Sequence, residues 1–373
     1  MLKRTPLYEY HIQHGKMIEF AGYDMPAWFT SISDEHLAVR NGAGIFDVSH
    51  MGRVNVSGRQ SGAFIESLVP TSTTSQPPGK SFYTLMLNSG GGIIDDLIII
   101  KRPEGYLLVI NAANRTKDLE HILSHSSDFD VAVEDITDST TMIAVQGPSA
   151  VRALQPLTTT ALSEIKKFMH ADSVVGSARA TITRTGYTGE DGFEVILHRS
   201  GIDDNSAALS VWGDLAERTK PCGLGARDSL RIESGLPLYG NDIDETTNPV
   251  EADLQWVISR EKKGYVGAES VTREMTSPPR RLRRGVVLDD KIPRQGFAIT
   301  NATGDRIGEV TSGSFSPILK KGIAMAYLDL PFAQVGQLVK VLVRNSPTDG
   351  KVVKPPFYDQ RLYGWKRTAQ QNI

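Results

Sequence analysis

Residues 91–111 read GGIIDDLIIIKRPEGYLLVIN. Two runs rich in Ile, Leu and Val flank the turn sequence RPEG at 102–105, a pattern that predicts two β-strands joined as a hairpin. Further strand-like runs lie at 128–136, 140–147, 178–185 and 192–198. Strands outnumber helices and do not alternate regularly with them, which favours an α+β fold over a doubly wound parallel sheet.

The segment SPPRRLRRG at 277–285 is the best candidate for a domain boundary. Its two prolines oppose regular structure, and its four arginines predict a solvated linker that leads into an exposed basic strand start. Short strand-like runs at 286–358 predict a small antiparallel barrel or sandwich. The chain is therefore expected to consist of a module at 1–276, this linker, the β-domain and a frayed tail at 359–373.

Composition excludes several classes of protein. The chain has 373 residues, and its 41 basic and 43 acidic side chains give a net charge of −2, so we expect no bulk attraction to nucleic acid or to an anionic membrane. The single cysteine, Cys222, excludes an internal disulfide. No apolar run is long enough to span a bilayer, and the N-terminus lacks the apolar core of a secretory signal. These features predict a cytoplasmic protein, or a mitochondrial matrix protein if a transit peptide has been removed.

The motifs of common cofactor sites are incomplete. GKS at 79–81 lacks the earlier glycine of a phosphate-binding loop. GAG at 42–44 and GLG at 223–225 begin a dinucleotide-binding fingerprint, but Asp47 and Asp228 replace its third glycine. Zinc-binding helices and calcium-binding loops have no counterpart in the sequence, so we expect no metal cofactor.

Two adjacent aspartates, Asp95 and Asp96, interrupt the apolar run at 91–101. Adjacent residues of a strand point to opposite faces, so the two carboxylates cannot act together in one site. At least one enters apolar surroundings, where a charge without partners is costly. Two interpretations stay open: a buried carboxylate that accepts backbone N–H groups, or a carboxylate directed into a pocket.

Three more charged residues need an explanation. Glu194 lies within a predicted strand just after a glycine-rich turn, and an inward carboxylate there can accept two N–H donors of a heterocycle. Arg227 and Arg231 lie four residues apart on a predicted helix at 224–234, where like charges repel. A solvated helix face explains the arginines as well as an acidic partner or ligand does.

Eight segments fall in order over nearly the whole chain and together resemble the aminomethyltransferase (T-protein) family of the glycine cleavage system. They are RTPLYEYHIQHGKMIEFAGYDMP (4–26), GIFDVSHMG (44–52), GGIIDDL (91–97), AVQGP (144–148), RTGYTGEDGFE (184–194), GARDSLRIESGLPLYGNDID (225–244), NPVEADLQW (248–256) and GEVTSGSFSPILKKGIAMAY (308–327). The resemblance implies a three-part cloverleaf fold. Two interleaved α+β subdomains, roughly 1–52 with 138–250 and 53–137 with flanking segments, would precede a C-terminal antiparallel β-barrel.

The resemblance also implies an activity. The family takes the aminomethyl group carried on the lipoyl arm of a partner, the H-protein, and transfers its carbon to tetrahydrofolate with release of ammonia. By position, Asp96 matches the catalytic carboxylate, expected to orient a folate nitrogen, to stabilise positive charge and to accept a proton. Glu194 matches the residue that binds the pterin, and Arg227 matches an arginine of the folate pocket. The further pocket positions implied are Asn111, Tyr83, Tyr187 and, with a different spacing, Tyr363.

Two other functions stay open at this point. One is a folate-dependent demethylase, or the folate domain of an oxidase, but such oxidases usually carry a flavin domain with a complete dinucleotide fingerprint. The other is a non-catalytic folate-binding protein that assists the maturation of iron–sulfur proteins or tRNA. Those relatives carry a cysteine in the glycine-rich loop, whereas the loop here is GYTGEDG at 186–192.

Overall fold

The computed structural model of the chain describes residues 1–201, 204–344 and 346–367. In chain order the strands are β1 (Lys16–Phe20), β2 (Tyr23–Trp28), β3 (Gly44–Asp47), β4 (Gly52–Ser57), β5 (Ser81–Leu87), β6 (Ile93–Arg102), β7 (Gly105–Ile110), β8 (Ala132–Asp135), β9 (Thr140–Gln146), β10 (His170–Val175), β11 (Ala178–Thr183), β12 (Gly192–His198), β13 (Lys220–Pro221), β14 (Arg281–Leu288), β15 (Ala298–Thr300), β16 (Arg306–Ser316), β17 (Lys321–Asp329), β18 (Leu338–Val343) and β19 (Ser346–Val353). The α-helices are α1 (Tyr8–His14), α2 (Ile32–Asn41), α3 (Ser61–Leu68), α4 (Arg115–Ser124), α5 (Ala150–Leu154), α6 (Ser206–Ala216), α7 (Leu224–Ser234) and α8 (Ala268–Met275).

The predicted hairpin forms the centre of a five-stranded sheet with the order β5-β6-β7-β4-β8. Strands β6 and β7 pair antiparallel, with Ile98 opposite Val109, which confirms the hairpin. Side chains of α3 and α4, among them Phe64 and Ile122, pack in one buried cluster with Val54 of the sheet. The hairpin is therefore anchored by an apolar core on one side, while its other side is available for a second layer.

A six-stranded sheet with the order β10-β11-β12-β9-β3-β13 forms the second part. Its strands come from 44–47 and from 140–221, so the chain leaves this sheet to build the five-stranded one and then returns. A shared cluster that includes Phe46, Leu107 and Met142 joins the two sheets. The chain thus passes between two sheets that both pack against helices, and this confirms the predicted α+β fold class.

A closed antiparallel barrel with the order β14-β17-β16-β15-β18-β19 forms the third part, as predicted. The barrel closes because β14 pairs with both β17 and β19. Its interior is filled by small and branched apolar residues, among them Val286, Ile299, Val341 and Val352. Among the described residues, no helix combines the length and the apolar character needed to cross a bilayer.

The predicted linker at 277–285 needs correction from Arg281 onward, because strand β14 begins there. Arg280 is exposed, whereas the three arginines that follow it are partly or fully buried. The Nε atom of Arg281 lies 2.8 Å from a carboxylate oxygen of Glu251, and Nη1 of Arg284 lies 3.2 Å from one of Asp253. Arg283 is buried. These contacts attach the barrel to the preceding module, while the other domain limits stay predictions.

Candidate active site

A cavity of about 580 Å³ lies where the two sheets and the barrel meet. The sheet of β6 supplies its acidic wall, the loop before β12 and helix α7 supply a second wall, and the barrel contributes Met325. Six of the seven site residues predicted from the sequence line this cavity: Tyr83, Asp96, Asn111, Tyr187, Glu194 and Arg227. The fold thus brings residues that are more than 140 positions apart in the chain into one cavity.

Asp96 lies on β6 with its carboxylate directed into the cavity. The hydroxyl of Tyr83, from the neighbouring strand β5, donates to Oδ2 at 3.0 Å. The Nδ2 amide of Asn111, which directly follows β7, donates to Oδ1 at 2.9 Å. Burial, and after it the negative charge of Asp95, raises the pKa of Asp96 to about 7. Asp96 is therefore a fixed carboxyl group that exchanges a proton near neutral pH.

Asp95 points to the opposite face of β6 and is fully buried. Its Oδ2 atom accepts the backbone N–H of Asn111 at 3.0 Å. Its Oδ1 atom accepts side-chain amides of Asn111 and Asn114 at 2.9 and 2.6 Å. Each of the two interpretations left open by the sequence thus applies to one aspartate: Asp95 is held inside by amide donors, and Asp96 faces the cavity.

Glu194 lines the same cavity as Asp96, from the six-stranded sheet. Strand β12 places it between Thr183 of β11 and Ala144 of β9, near the centre of the six-stranded sheet. The hydroxyl of Thr185 donates to its Oε2 atom. Burial raises the pKa of Glu194, and the bond from Thr185 and the positive charge of Arg227 oppose this rise. The carboxyl is thus held rigidly and keeps an oxygen for a ligand.

The two arginines of α7 have different environments. Arg231 is buried, with its guanidinium 2.8 Å from Asp228 and in contact with Asp242. Arg227 instead lines the cavity, where its Cζ atom lies 4.7 Å from the centre of the Tyr187 ring. Its described hydrogen bond is the weak one from Nη2 to Sδ of Met51 at 3.6 Å. Arg231 therefore stabilises the fold, while the charge of Arg227 is available to a ligand.

The seventh predicted residue, Tyr363, is not brought to the cavity. Its ring centre lies 6.4 Å from that of Tyr358, and the guanidinium of Arg367 lies 5.7 Å from it. The reason is the anchoring of this segment by Glu190, which accepts the backbone N–H of Gly364 at 2.9 Å and a bond from Arg367 at 2.9 Å. The tail predicted as frayed is thus attached up to Arg367, and residues 368–373 lie outside the described part of the chain.

Several cavity residues were not singled out from the sequence. Trp256 is two-thirds exposed and stacks on Tyr83 with ring centres 5.6 Å apart. His50 is buried, and burial with the charge of Arg227 lowers its pKa to about 3, so the imidazole is neutral. Arg283 belongs to the segment predicted as a linker, and it also lines the cavity. His50 and Trp256 lie within the family motifs at 44–52 and 248–256, and this position was the sequence clue to their place in the cavity.

Comparison with known protein families identifies the family of the chain. Its residues 7–262 match the GCVT N-terminal domain, and residues 280–359 match the glycine cleavage T-protein C-terminal barrel domain. The chain belongs to the glycine cleavage T-protein family. Within this family it is 40% identical to the aminomethyltransferase of Thermoanaerobacter pseudethanolicus over 366 residues, which cover 96% of this chain and 98% of the relative. It is 43% identical to the aminomethyltransferase of Thermotoga maritima over 364 residues, with the same coverage.

The fold agrees with that of a crystallised T-protein. The structure of the glycine cleavage system aminomethyltransferase T from Bartonella henselae superposes with a TM-score of 0.90 at 34% sequence identity. The match covers 98% of this chain and all of the T-protein compared. Among the described residues, no group of His, Cys, Asp and Glu side chains is arranged to hold a metal ion.

Proposed function

We propose that the protein is the aminomethyltransferase of a glycine cleavage system. It would take the one-carbon unit from the S-aminomethyldihydrolipoyl arm of the H-protein and transfer it to tetrahydrofolate. The products would be 5,10-methylenetetrahydrofolate, ammonia and the dihydrolipoyl H-protein. The observation that carries this proposal is the carboxyl of Asp96, with a pKa near neutrality, in the same cavity as Glu194 and Arg227.

The cavity residues fit tetrahydrofolate. A volume of about 580 Å³ is in the range of small-molecule sites. A pterin presents adjacent N–H donors, and the fixed carboxylate of Glu194 is the acceptor that suits them. Arg227 beside Tyr187 offers a cation and an aromatic face to the same ligand. When bound, tetrahydrofolate supplies the two nitrogens that receive the one-carbon unit.

Asp96 has three tasks under this proposal. Ionised above about pH 7, it accepts a hydrogen bond from a substrate N–H and so orients that nitrogen. Its charge stabilises positive charge that develops at the transferred carbon. It then accepts a proton, which its raised pKa allows. Tyr83 and Asn111 hold the carboxylate in place through all three tasks.

The lipoylated H-protein is the proposed partner, because the substrate group is carried on its arm. The exposed ring of Trp256 lies on the cavity wall and offers an apolar surface to an incoming chain. A metal-independent reaction and a cytoplasmic location stay predictions.

Ammonia release from aminomethylated H-protein, measured with and without tetrahydrofolate, tests the proposal. We expect release to accelerate only when tetrahydrofolate is present. A matched control is Asp349→Asn, which removes a carboxylate on the barrel surface whose side chain is 86% exposed, and this variant should keep full activity. Folate binding without turnover would contradict the proposal and favour a non-catalytic maturation protein.

A further inference from the structure

Asp118 is a buried acidic residue that the proposed reaction does not use. It lies in helix α4, is fully buried, and neither of its carboxyl oxygens has a hydrogen-bond donor in the described part of the chain. Buried polar groups are nearly always hydrogen-bonded, so such a residue needs an explanation. An ionised carboxylate without donors is the costliest state that this site could adopt.

The neighbours of Asp118 make the charged state still less favourable. Asp95 is within hydrogen-bonding contact of it, and Asp96 adds a second negative charge from the same strand. The cation of Lys117, the preceding residue, opposes this effect but is bonded elsewhere. Its Nζ atom donates to the carbonyl of Ile94 at 2.8 Å and to the hydroxyl of Tyr239 at 2.6 Å, and lies 3.1 Å from Glu245. Burial, and after it the charge of Asp95, raises the pKa of Asp118 to about 11.

A neutral carboxyl group has one O–H donor, and Asp95 is the acceptor beside it. Asp95 has spare capacity, because its Oδ2 atom accepts a single described bond, from the backbone of Asn111. We propose that Asp118 is a positioning residue: it retains its proton and donates it in a hydrogen bond to Asp95, which thereby holds Asn111 against Asp96.

The consequence is a chain of hydrogen bonds that ends at the active site. Asp118 donates to Asp95, Asp95 accepts both amide groups of Asn111, and Nδ2 of Asn111 reaches Asp96 at 2.9 Å. The proton on Asp118 keeps the buried pair at one negative charge. Burial raises the pKa of Asp96 most, and that single charge raises it further.

Thermal unfolding of Asp118→Asn tests the proton without any reference to catalysis. Asparagine is neutral at every pH and keeps an N–H donor for Asp95. The wild-type residue must take up a proton on folding at any pH between its unfolded pKa of about 3.9 and its folded pKa, so wild-type stability falls with pH across this window. We expect Tm of Asp118→Asn minus Tm of wild type to increase from about pH 5 to about pH 9. A difference that is independent of pH would overturn the proposal.

Infrared spectroscopy gives a second readout of the same proton. At about pH 9 Asp96 is ionised, whereas Asp118 should still be neutral. The wild-type spectrum minus that of Asp118→Asn should then contain the C=O band of a neutral carboxylic acid, which shifts in deuterated water. Absence of this band would show that Asp118 is ionised and would overturn the proposal.

The effect on the reaction rests on the proposed function. A plot of kcat against pH should rise as Asp96 ionises, and we call this rise the acid limb. In Asp118→Asn the acid limb should stay at the wild-type pH, because no charge has changed. In Asp118→Leu, which lacks the donor, kcat should fall about tenfold with little change in KM for tetrahydrofolate. A shift of the acid limb to lower pH in Asp118→Asn would overturn the proposal. If Asp96 proves dispensable, the proposed function fails, while the unfolding and infrared results still decide the state of Asp118.

Discussion

Replacing Asp96 with asparagine removes one charge from the cavity and almost nothing else. The asparagine oxygen can still accept the amide of Asn111, which now lies 2.9 Å from Oδ1. The new amide nitrogen would face the hydroxyl of Tyr83, and a hydroxyl can accept a bond as well as donate one. We therefore expect Asp96→Asn to fold and to bind tetrahydrofolate like the wild type.

The expected loss of rate follows from the missing charge. Removal of one preorganised group that stabilises charge in a restricted cavity costs about 2.7–4 kcal/mol, and each 1.36 kcal/mol is a factor of ten. We therefore expect kcat to fall by about 10²–10³. Because wild-type Asp96 is ionised only above its pKa of about 7, the wild-type rate should rise with pH through this value, and the variant should lose this limb.

The same substitution should raise stability. The pKa of Asp96 is about 7 in the folded protein and about 3.9 when unfolded, so the folded wild type binds more protons and loses stability as pH rises between these values. Asparagine removes this dependence. At about pH 8 the variant should have the higher Tm, and the difference should nearly vanish at about pH 4.

The assay is tetrahydrofolate-dependent ammonia release from aminomethylated H-protein at about pH 8, with calorimetry to confirm folate binding. Asp349→Asn serves again as the surface control. Turnover of Asp96→Asn within about threefold of the wild type would refute the catalytic role, as would an acid limb that persists in the variant.

Three further substitutions test the surroundings of Asp96. Glu194→Ala should weaken tetrahydrofolate binding about 10- to 100-fold, measured by calorimetry, because hydrogen bonds to a charged group are lost. An unchanged Kd would show that Glu194 does not bind tetrahydrofolate. Asp95→Asn should lower the free energy of unfolding in urea by about 1–3 kcal/mol, because it disturbs hydrogen bonds from the amides of Asn111 and Asn114. It should reduce kcat less than Asp96→Asn does, since the carboxylate of Asp96 stays in the cavity. It should also move the acid limb to lower pH, because the charge that raises the pKa of Asp96 is gone, and a limb at the wild-type position would contradict this. Tyr83→Phe removes a donor that favours the ionised form of Asp96, so the acid limb should move up by about one pH unit, and a downward shift would count against the hydrogen bond.

Features of the fold that depend on local pattern could be predicted from the sequence. The hairpin at 91–111 is such a case, because both strands and their turn lie within 21 consecutive residues. The environment of Arg281 and Arg284 could not be predicted, because their partners Glu251 and Asp253 lie about 30 positions earlier. A run of arginines has the same local pattern whether it faces water or an acidic loop.

The site shows the same division. The alternation of a strand separated Asp95 from Asp96, and the family resemblance selected Asp96 as the catalytic carboxylate. The sequence did not reveal that Asn111 and Asn114 donate to Asp95, because these bonds depend on how the segment after β7 turns back over the sheet. Trp256 was missed for a similar reason, since only the tertiary structure places it on Tyr83.

The adjacency of Asp95 and Asp96 affects the pKa of Asp96. Burial raises the pKa of the carboxyl at position 96, while its two hydrogen-bond donors, Tyr83 and Asn111, oppose this rise. Asp95 supplies a fixed negative charge one residue away on the opposite face, where amide donors stabilise it and solvent does not screen it. That charge raises the pKa of Asp96 without competing for its place in the cavity. The strand alternation that prevents the two groups from acting together on a substrate is thus what allows one to set the acidity of the other.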